Sequence, residues 1–492
     1  MTLAVMSDEH EDCRHRGIII EEALRLLGQD TPVARFASLL YGDGPPDGLA
    51  DDRGQVSSMW LSSNAEAAFA FLAEKPTPGH KVRVRRMSAD GGADGQAVIE
   101  ILNDDMPFLV DSVLGELQAR GLMVRALLHP ILKTRRDPSG RLDAVLGPGD
   151  RSWRDGRQES YIAIYLARGL SQGEETDLIG TISAILDEVR IAVADWQPMV
   201  ELLKAAAHRL RASPPKLPPG ELGEAAAFLN WVAADNFTFL GAREYRLSVD
   251  AGRGRKLVAI DESGLGVLRN PAVHAVDPAD HDELTALPVA VGRACLRSRV
   301  HRRIDMHCIA VKSYRPDGSV DGETVLVGLF TSQAYTQPVH EVPLLRHKVE
   351  TVLSLSGHPA GSHDAKALTN VLETFPRDEL LQLGVEDLKR WCEVILDLEI
   401  RPRVRVLARA DRLHRFVTLL VYVPRDRYNS SVRERISALL EGLYGGSVAA
   451  FYPYFTDAPL VRVQFIVSCV ASARQGQTAG VDAGVLESRI ED

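Results

Sequence analysis

Apolar residues recur along this chain with two periods, and the switches between them mark out the elements. The run QAVIEIL from Gln96 is a strand candidate, and NDDMPFLVDSVLGELQARG follows it at helical spacing. Met106, Leu109, Val110, Val113, Leu114 and Leu117 form the apolar stripe, with Asp111, Ser112, Glu116 and Gln118 opposite. Asp104 or Asp105 is expected to cap the helix, Pro107 suits its first turn, and Gly121 supplies its stop. MVRALLHPIL then reads as a second strand. Strand, helix and strand in direct succession make the front half of a ferredoxin-like βαβ unit.

The same reading extends in both directions. Residues 17–76 are helical in pattern, interrupted by the turn residues GDGPPDG. KVRVRRM (81–87) alternates like a half-exposed strand and is expected to pair antiparallel with QAVIEIL, in the place of the usual last strand. YIAIYLARG and a helix over 174–190 complete a β-β-α-β-β-α order. PPKLPPG (214–220) reads as an extended linker. Beyond it come a helix, a long strand, and a hairpin turning at Pro316-Asp317-Gly318. Three helices follow, with PRDEL as a turn whose proline starts a new helix. RVRVLARA, FVTLLVYVPRD, SVRERISALLEGLYGG, SVAAFYPYF and LVRVQFIVSCV then repeat β-β-α-β-β. The fold class is α+β and multidomain. The Gly/Ala/Gln-rich stretch after Ala471 is expected to be a flexible tail.

Composition narrows the classes. With 492 residues the chain has room for several domains, and its net charge of −10 argues against nucleic acid as a general partner. No run approaches the ~20 apolar residues of a membrane helix, and the charged start lacks the apolar core of a signal peptide, so no membrane and a cytoplasmic location are expected. Five scattered cysteines without a CxxC pair read as free thiols.

Candidate chemistry is sparse. No strand-GxGxxG-helix unit occurs, and the nearest string, Gly264 to Arg269, reads as a turn. His301, His307, His340, His347, His358 and His363 lack metal-ligand spacing. Asp104 and Asp105 could be an acid/base pair, but a place before a proline-started helix favours capping. Backbone N–H groups at such a helix start can also receive a carboxylate. Arg401, Arg403 and Arg405, with Arg409, Arg412 and Arg415 behind them, read as a solvated strand face or an anion surface. Arg377-Asp378-Glu379 and Arg425-Asp426-Arg427 read as capping and surface ion-pair residues.

The phrases NDDMPFLVDS, NFTFLGAREY, GLGVLR, SRVHRR, GLFTSQAY, PLLRHKV, SHDAKAL, FPRDELLQL and FVTLLVYVPRDRYN, in this order, resemble the N-terminal region of the large bacterial NAD-specific glutamate dehydrogenases. More loosely, the 104–109 loop resembles the loop that opens the helix of ACT regulatory domains. The resemblance implies an N-terminal helical segment (1–79), an ACT-like module (80–195), a helix and linker (196–220), a PAS-like domain (221–340), a helical connector (341–399), a second ACT-like module (400–470) and the tail (471–492). It implies no catalytic residue, metal or cofactor in this chain, and NAD for the full-length parent. That parent would convert L-glutamate to 2-oxoglutarate and ammonia through a catalytic domain downstream in the same polypeptide, as a homo-oligomer such as a tetramer. An amino-acid effector would bind at Asp104, Asp105, Met106, Pro107, Phe108 and Leu109, where Phe108 replaces the glycine common in ACT loops. The alternatives are a stand-alone ACT-type amino-acid sensor and an enzyme with an unrecognised site.

Overall fold

The computed structural model describes residues 17–42, 56–76, 78–87, 96–147, 149–150, 153–212, 219–250, 254–275, 287–411, 416–469 and 483–491. Arg412, Arg415 and most of the PPKLPPG linker lie outside these residues. The chain forms two compact units: residues to Val193 with the loop Ser298–Arg303, and Ala194–Arg297 with Ile304 onward.

The first unit holds α1 (17–26), α2 (Pro32–Leu40), α3 (Ser58–Leu72), β1 (His80–Arg86), β2 (Ala97–Asp104), α4 (Leu109–Ala119), β3 (Val124–Leu128), β4 (Ile131–Arg136), β5 (Leu142–Val145), β6 (Arg157–Leu166) and α5 (Gln172–Ala194). Its sheet runs β1-β2-β6-β4-β5, with β3 also on β6. β1 pairs antiparallel with β2 from His80↔Asn103 to Arg86↔Ala97. The early strand therefore takes the place of a ferredoxin-like last strand, as the pattern predicts. MVRALLHPIL is one path broken in two: β3 and β4 pair with successive stretches of β6, and Pro130 at the break donates nothing to the ladder.

Strand alternation divides this sheet between two helical layers. Val98, Leu102, Tyr161, Ala163 and Tyr165 join Phe36 of α2 and Leu61, Ala65, Phe71 and Leu72 of α3 in one core. Ile99, Ile101, Ile162 and Ile164 are left for the opposite face, where Arg190 of α5 donates to Asn103 of β2.

The second unit begins with α6 (Trp196–Ala212) and α7 (Pro219–Trp231), which pack on a sheet of β7 (Phe237–Asp250), β8 (Gly254–Ala259), β9 (Leu265–Gly266), β10 (Val289–Arg297), β11 (Asp305–Tyr314) and β12 (Val320–Phe330). The order is β10-β11-β12-β7-β8, with β9 on β7, so β10 is an edge. The expected hairpin joins β11 to β12 and turns at Gly318, whose φ is +83°. Helices α8 (Ser332–Thr336), α9 (Leu345–Leu355), α10 (His363–Thr374), α11 (Arg377–Gln382) and α12 (Val385–Ile400) lead to the last sheet. That sheet comprises β13 (Arg405–Ala410), β14 (Phe416–Pro424), β15 (Gly446–Tyr454) and β16 (Leu460–Cys469), in the order β13-β14-β16-β15, with α13 (Ser430–Tyr444) between β14 and β15.

It repeats the displaced-strand topology of the first sheet and the same division of faces. Val417, Leu419 and Val421 pack with Ile436 and Leu440 of α13. Leu407, Leu420, Tyr422 and Leu460 pack with α9, α10 and α12. The end of the chain departs from expectation. Part of the expected tail is a helix, α14 (Ala483–Glu491), with Leu486 fully buried in the α13 core. Glu487 anchors it by accepting from the Val406 N–H and Arg405 Nη1 at 2.9 and 3.0 Å. Composition favoured disorder, but Leu486 and Ile490 at helical spacing, with the Glu487 carboxylate beside them, dock it.

Candidate functional site

The turn from Asp104 to Leu109 lies in the first unit, and neither aspartate caps α4. Helix α4 starts at Leu109, and its N-cap is Phe108, which makes no side-chain cap bond. Asp104 is the last residue of β2 and takes Lys75 Nζ at 2.5 Å. Asp105 accepts from Ser160 Oγ at 2.7 Å, and that oxygen is 3.1 Å from His129 Nε2. The order aspartate, serine, histidine has the serine in the middle, so no base is oriented by the carboxylate as nucleophilic catalysis requires. Burial lowers the His129 pKa, with Asp105 pulling the other way.

Phe108 has φ +73°, the left-handed region that favours glycine. Phe108 holds a conformation that glycine would adopt without strain, at a cost of ~1–2 kcal/mol. The 298–303 loop of the same unit packs over it. The His301 ring lies 5.0 Å from the Phe108 ring, the His301 backbone N–H donates to Ser112 Oγ at 2.8 Å, and the ring Nδ1 is 3.1 Å from Asp111 Oδ2. Arg299 pairs with Glu188 of α5 and Arg303 with Glu116 of α4. The phrase SRVHRR is therefore a strap in which Arg299, His301 and Arg303 each meet a carboxylate. The stop of α4 follows the sequence: Gly121 has φ +66°, its N–H bonds to Gln118 O, and Leu122 N–H bonds to Leu117 O.

Two buried ionic networks support this sheet. Glu100 is fully buried and accepts from Arg83 Nε at 2.7 Å, Arg85 Nε at 3.0 Å and Tyr161 Oη at 2.6 Å. Burial pushes its pKa up, but the Arg83 bond and the Arg85 charge outweigh that and hold it below the usual range. Lys75, also buried, meets Asp104 and Glu159, and Glu159 binds Arg136 through both oxygens.

In the second unit, sequence reasoning missed the main polar cluster. Glu379 is buried and Asp378 half-buried, its side chain 13% exposed, rather than both lying at the surface. Asp378 accepts from Arg293 Nη2 at 2.7 Å and Tyr335 Oη at 3.0 Å, with His307 Nε2 3.1 Å away. Burial would raise its pKa, yet His307 and Arg293 hold it well below the carboxylate range. Glu379 takes Arg409 Nε at 2.8 Å. Arg293, His307, Asp378 and Arg409 come from distant stretches, and no local pattern links them. Beside them a cleft of about 380 Å³ opens, lined in part by Arg293, Gln382, Arg409 and Asp411.

The remaining candidates resolve as follows. Arg403 pairs with Asp397 and Arg405 with Glu487, so with Arg409 these arginines are individually matched rather than one anion surface. Gly264 and Gly266 form the expected turn: a Cβ there would meet Leu268 O at 2.4 Å and Leu240 O at 2.1 Å. Gly266 N–H and the Arg269 guanidinium are both held by Asp195, so the glycines offer no phosphate cradle. Among the described residues no group of three or more His, Cys, Asp or Glu side chains could hold a metal ion, and no helix is long and apolar enough to cross a membrane.

Comparison with known proteins gives three successive family matches: "Glutamate dehydrogenase, ACT1 domain" at residues 36–180, "Glutamate dehydrogenase, helical motif 1" at 342–401, and "Glutamate dehydrogenase, ACT2 domain" at 405–492. NAD-specific glutamate dehydrogenase of Halomonas elongata is 34% identical over 451 residues, covering 88% of this chain and 27% of that protein. Its counterpart in Pseudomonas aeruginosa is 34% identical, covering 81% and 25%. The Mycobacterium tuberculosis protein is 26% identical, covering 86% and 26%. The chain thus spans about a quarter of the length of the relatives it matches.

Proposed function

This chain belongs to the NAD-specific glutamate dehydrogenase family, whose ACT1, helical-motif and ACT2 modules it carries in order, and from that premise we propose that it is the regulatory and assembly region of such an enzyme. The reaction of the whole protein would be oxidation of L-glutamate to 2-oxoglutarate and ammonia with NAD, performed by a catalytic domain of the same polypeptide in a cytoplasmic homo-oligomer. The observation that carries the reading is the fate of the ionisable groups. Glu100 and Glu159 are consumed in pairs between strands of one sheet, Asp104 in a pair with Lys75 beyond α3, and Asp378 and Glu379 in pairs that tie α11 to β10 and β13, as in a scaffold. Residues 221–340 fit a PAS-like role, supported by a five-strand antiparallel path with helices on one face.

An effector carboxylate at the Asp104–Leu109 turn would reach the first N–H groups of α4 by displacing His301 from Ser112. Binding there should strengthen when His301 is replaced by glycine, because the ring beside Phe108 and Asp111 is removed while the backbone N–H to Ser112 and the φ of +64° are kept.

The test is an assay of the purified chain with L-glutamate and NAD, beside the same assay of the parent protein with and without this region. We expect no NADH from the chain alone, and an altered oligomeric state or glutamate response when the region is removed. NADH formation by the chain itself would overturn the reading.

A further inference from the structure

The helices that cover the last sheet do not close over it completely. Between α10, α12 and the strands β14, β15 and β16 a cleft of about 340 Å³ opens, within the ~300–1,000 Å³ of small-molecule sites. Val371 of α10, Ile395 and Leu398 of α12 and Leu460 of β16 make its walls apolar. The sheet contributes polar groups. Tyr422 of β14 stands opposite Arg462 of β16, and Arg462 stands opposite Tyr454 of β15, so the three form one row across the strands. Neighbours in such a row are close enough for their side chains to act on one group.

Arg462 differs from the arginines around it. Arg293, Arg405 and Arg409 each meet a carboxylate. The Arg462 guanidinium is instead held by a neutral carbonyl, Thr374 O at 2.7 Å from Nη2, and by the Tyr454 ring, whose centroid is 4.5 Å away. That bond uses one N–H of the fork and leaves the others for a further acceptor. Beside it Tyr422 is 7% exposed, and its hydroxyl makes no hydrogen bond among the described residues. Burial pushes the Tyr422 pKa up to about 12, with Arg462 opposing, so the hydroxyl keeps its proton and can donate. Glu399 is the only acid that lines the cleft, and it lies at the exposed rim. A fixed cation and a buried O–H donor above apolar walls complement a carboxylate on a hydrocarbon body.

We infer that this cleft binds a short-chain monocarboxylate without an α-ammonium, its carboxylate on Arg462 and the Tyr422 hydroxyl, its hydrocarbon body against Val371, Ile395 and Leu398. An α-ammonium would be brought against the same guanidinium, which disfavours a free amino acid here. The site stands on its own chemistry and is independent of the regulatory reading.

Calorimetry and thermal melting of the full chain test it with hexanoate as the probe. Hexan-1-ol lacks the charge, acetate lacks the hydrocarbon body, and L-norleucine adds the α-ammonium. Hexanoate at millimolar concentration should bind and raise the melting temperature by mass action, and the other three should bind at least ~tenfold more weakly. Tyr422→Phe should weaken hexanoate ~tenfold, while the ligand-free variant melts no lower than the original chain, because the hydroxyl removed has no partner to lose. Arg462→Gln, which can still donate to Thr374 O, should weaken hexanoate by at least as much. No binding of hexanoate, equal binding of any of the other three, or unchanged binding in either variant would each overturn the site. So would a Tyr422→Phe chain that melts lower, since the hydroxyl would then already be partnered.

Discussion

The two ACT modules share one topology and both cover the free face of the sheet with apolar side chains, but the first also buries a charged network there. Each sheet carries its own helices on one face, and each must cover the other. In the first module α2 and α3 cover it, and the interface includes the buried Glu100–Arg83–Arg85–Tyr161 network. In the second, α9, α10 and α12 cover it through Leu407, Leu420, Tyr422 and Leu460. The helical motif is thus a layer of the second module, not a spacer before it. A charged interface fixes one relative placement but contributes little net stability, because desolvation offsets most of the attraction. An apolar one is more forgiving of sliding and stabilises in proportion to area.

The largest effect should come from breaking the charged side. Glu100→Ala leaves Arg83 and Arg85 without their shared carboxylate and should cost ~3–5 kcal/mol, read as loss of amide-exchange protection in β2 and β6. Glu100→Leu combined with Arg85→Leu should recover part of that loss, since two apolar groups need no partner while Arg83 and the Tyr161 hydroxyl still lack their acceptor. If the double variant is as unstable as the single one, the network is not what distinguishes the two faces.

On the apolar side, Leu420→Ala should cost about 2–4 kcal/mol through the lost transfer energy and the cavity left behind. Protection should fall in α9, α10 and α12 together with β14, because they share one core. Protection retained in those helices would show that the helical motif is an independent body.

How much of this was legible can be judged residue by residue. FVTLLVYV showed its two faces through strict alternation, and Gly121 marked the end of α4 because only a left-handed residue closes that helix cleanly. Glu100 was not legible: within QAVIEIL it looks like a solvated position, and its arginines sit on β1, an alternation read as half-exposed. Nor was Phe108, since nothing local shows that a bulky residue is held at positive φ by a loop 190 residues away. Local periodicity reports which way a side chain points. It carries no record of which distant group waits there, and the buried pairs and the cleft are made of such meetings.

A smaller effect separates the modules at their ends. Module one closes with the long α5, whereas module two closes with α14, tied by Glu487 to β13. Glu487→Ala should cost ~1–2 kcal/mol and free α14 to exchange without loosening β14. Cooperative loss of the whole sheet would mean that α14 is part of the core and not an appended clasp.

The least localised effect is a pH dependence of opposite sign in the two units. In the first unit Glu100 has a folded pKa below its unfolded value, so the stability it contributes is present above about pH 4 and is lost as the pH falls through the folded value. In the second unit Asp378 behaves likewise, but Glu323 does not. Burial raises Glu323 to about 7, with Lys312 opposing, against 4.5 for the free group. Between those values the folded state binds more protons than the unfolded chain, so stability falls as the pH rises. The second unit should therefore lose ~2 kcal/mol between pH ~5 and ~7.5 that the first unit does not lose. Local amide exchange in β12 against β2 reads the two slopes separately. Glu323→Gln, which cannot ionise, should flatten the β12 slope and leave the β2 slope untouched. A β12 slope that survives in Glu323→Gln would assign the pH response to another group.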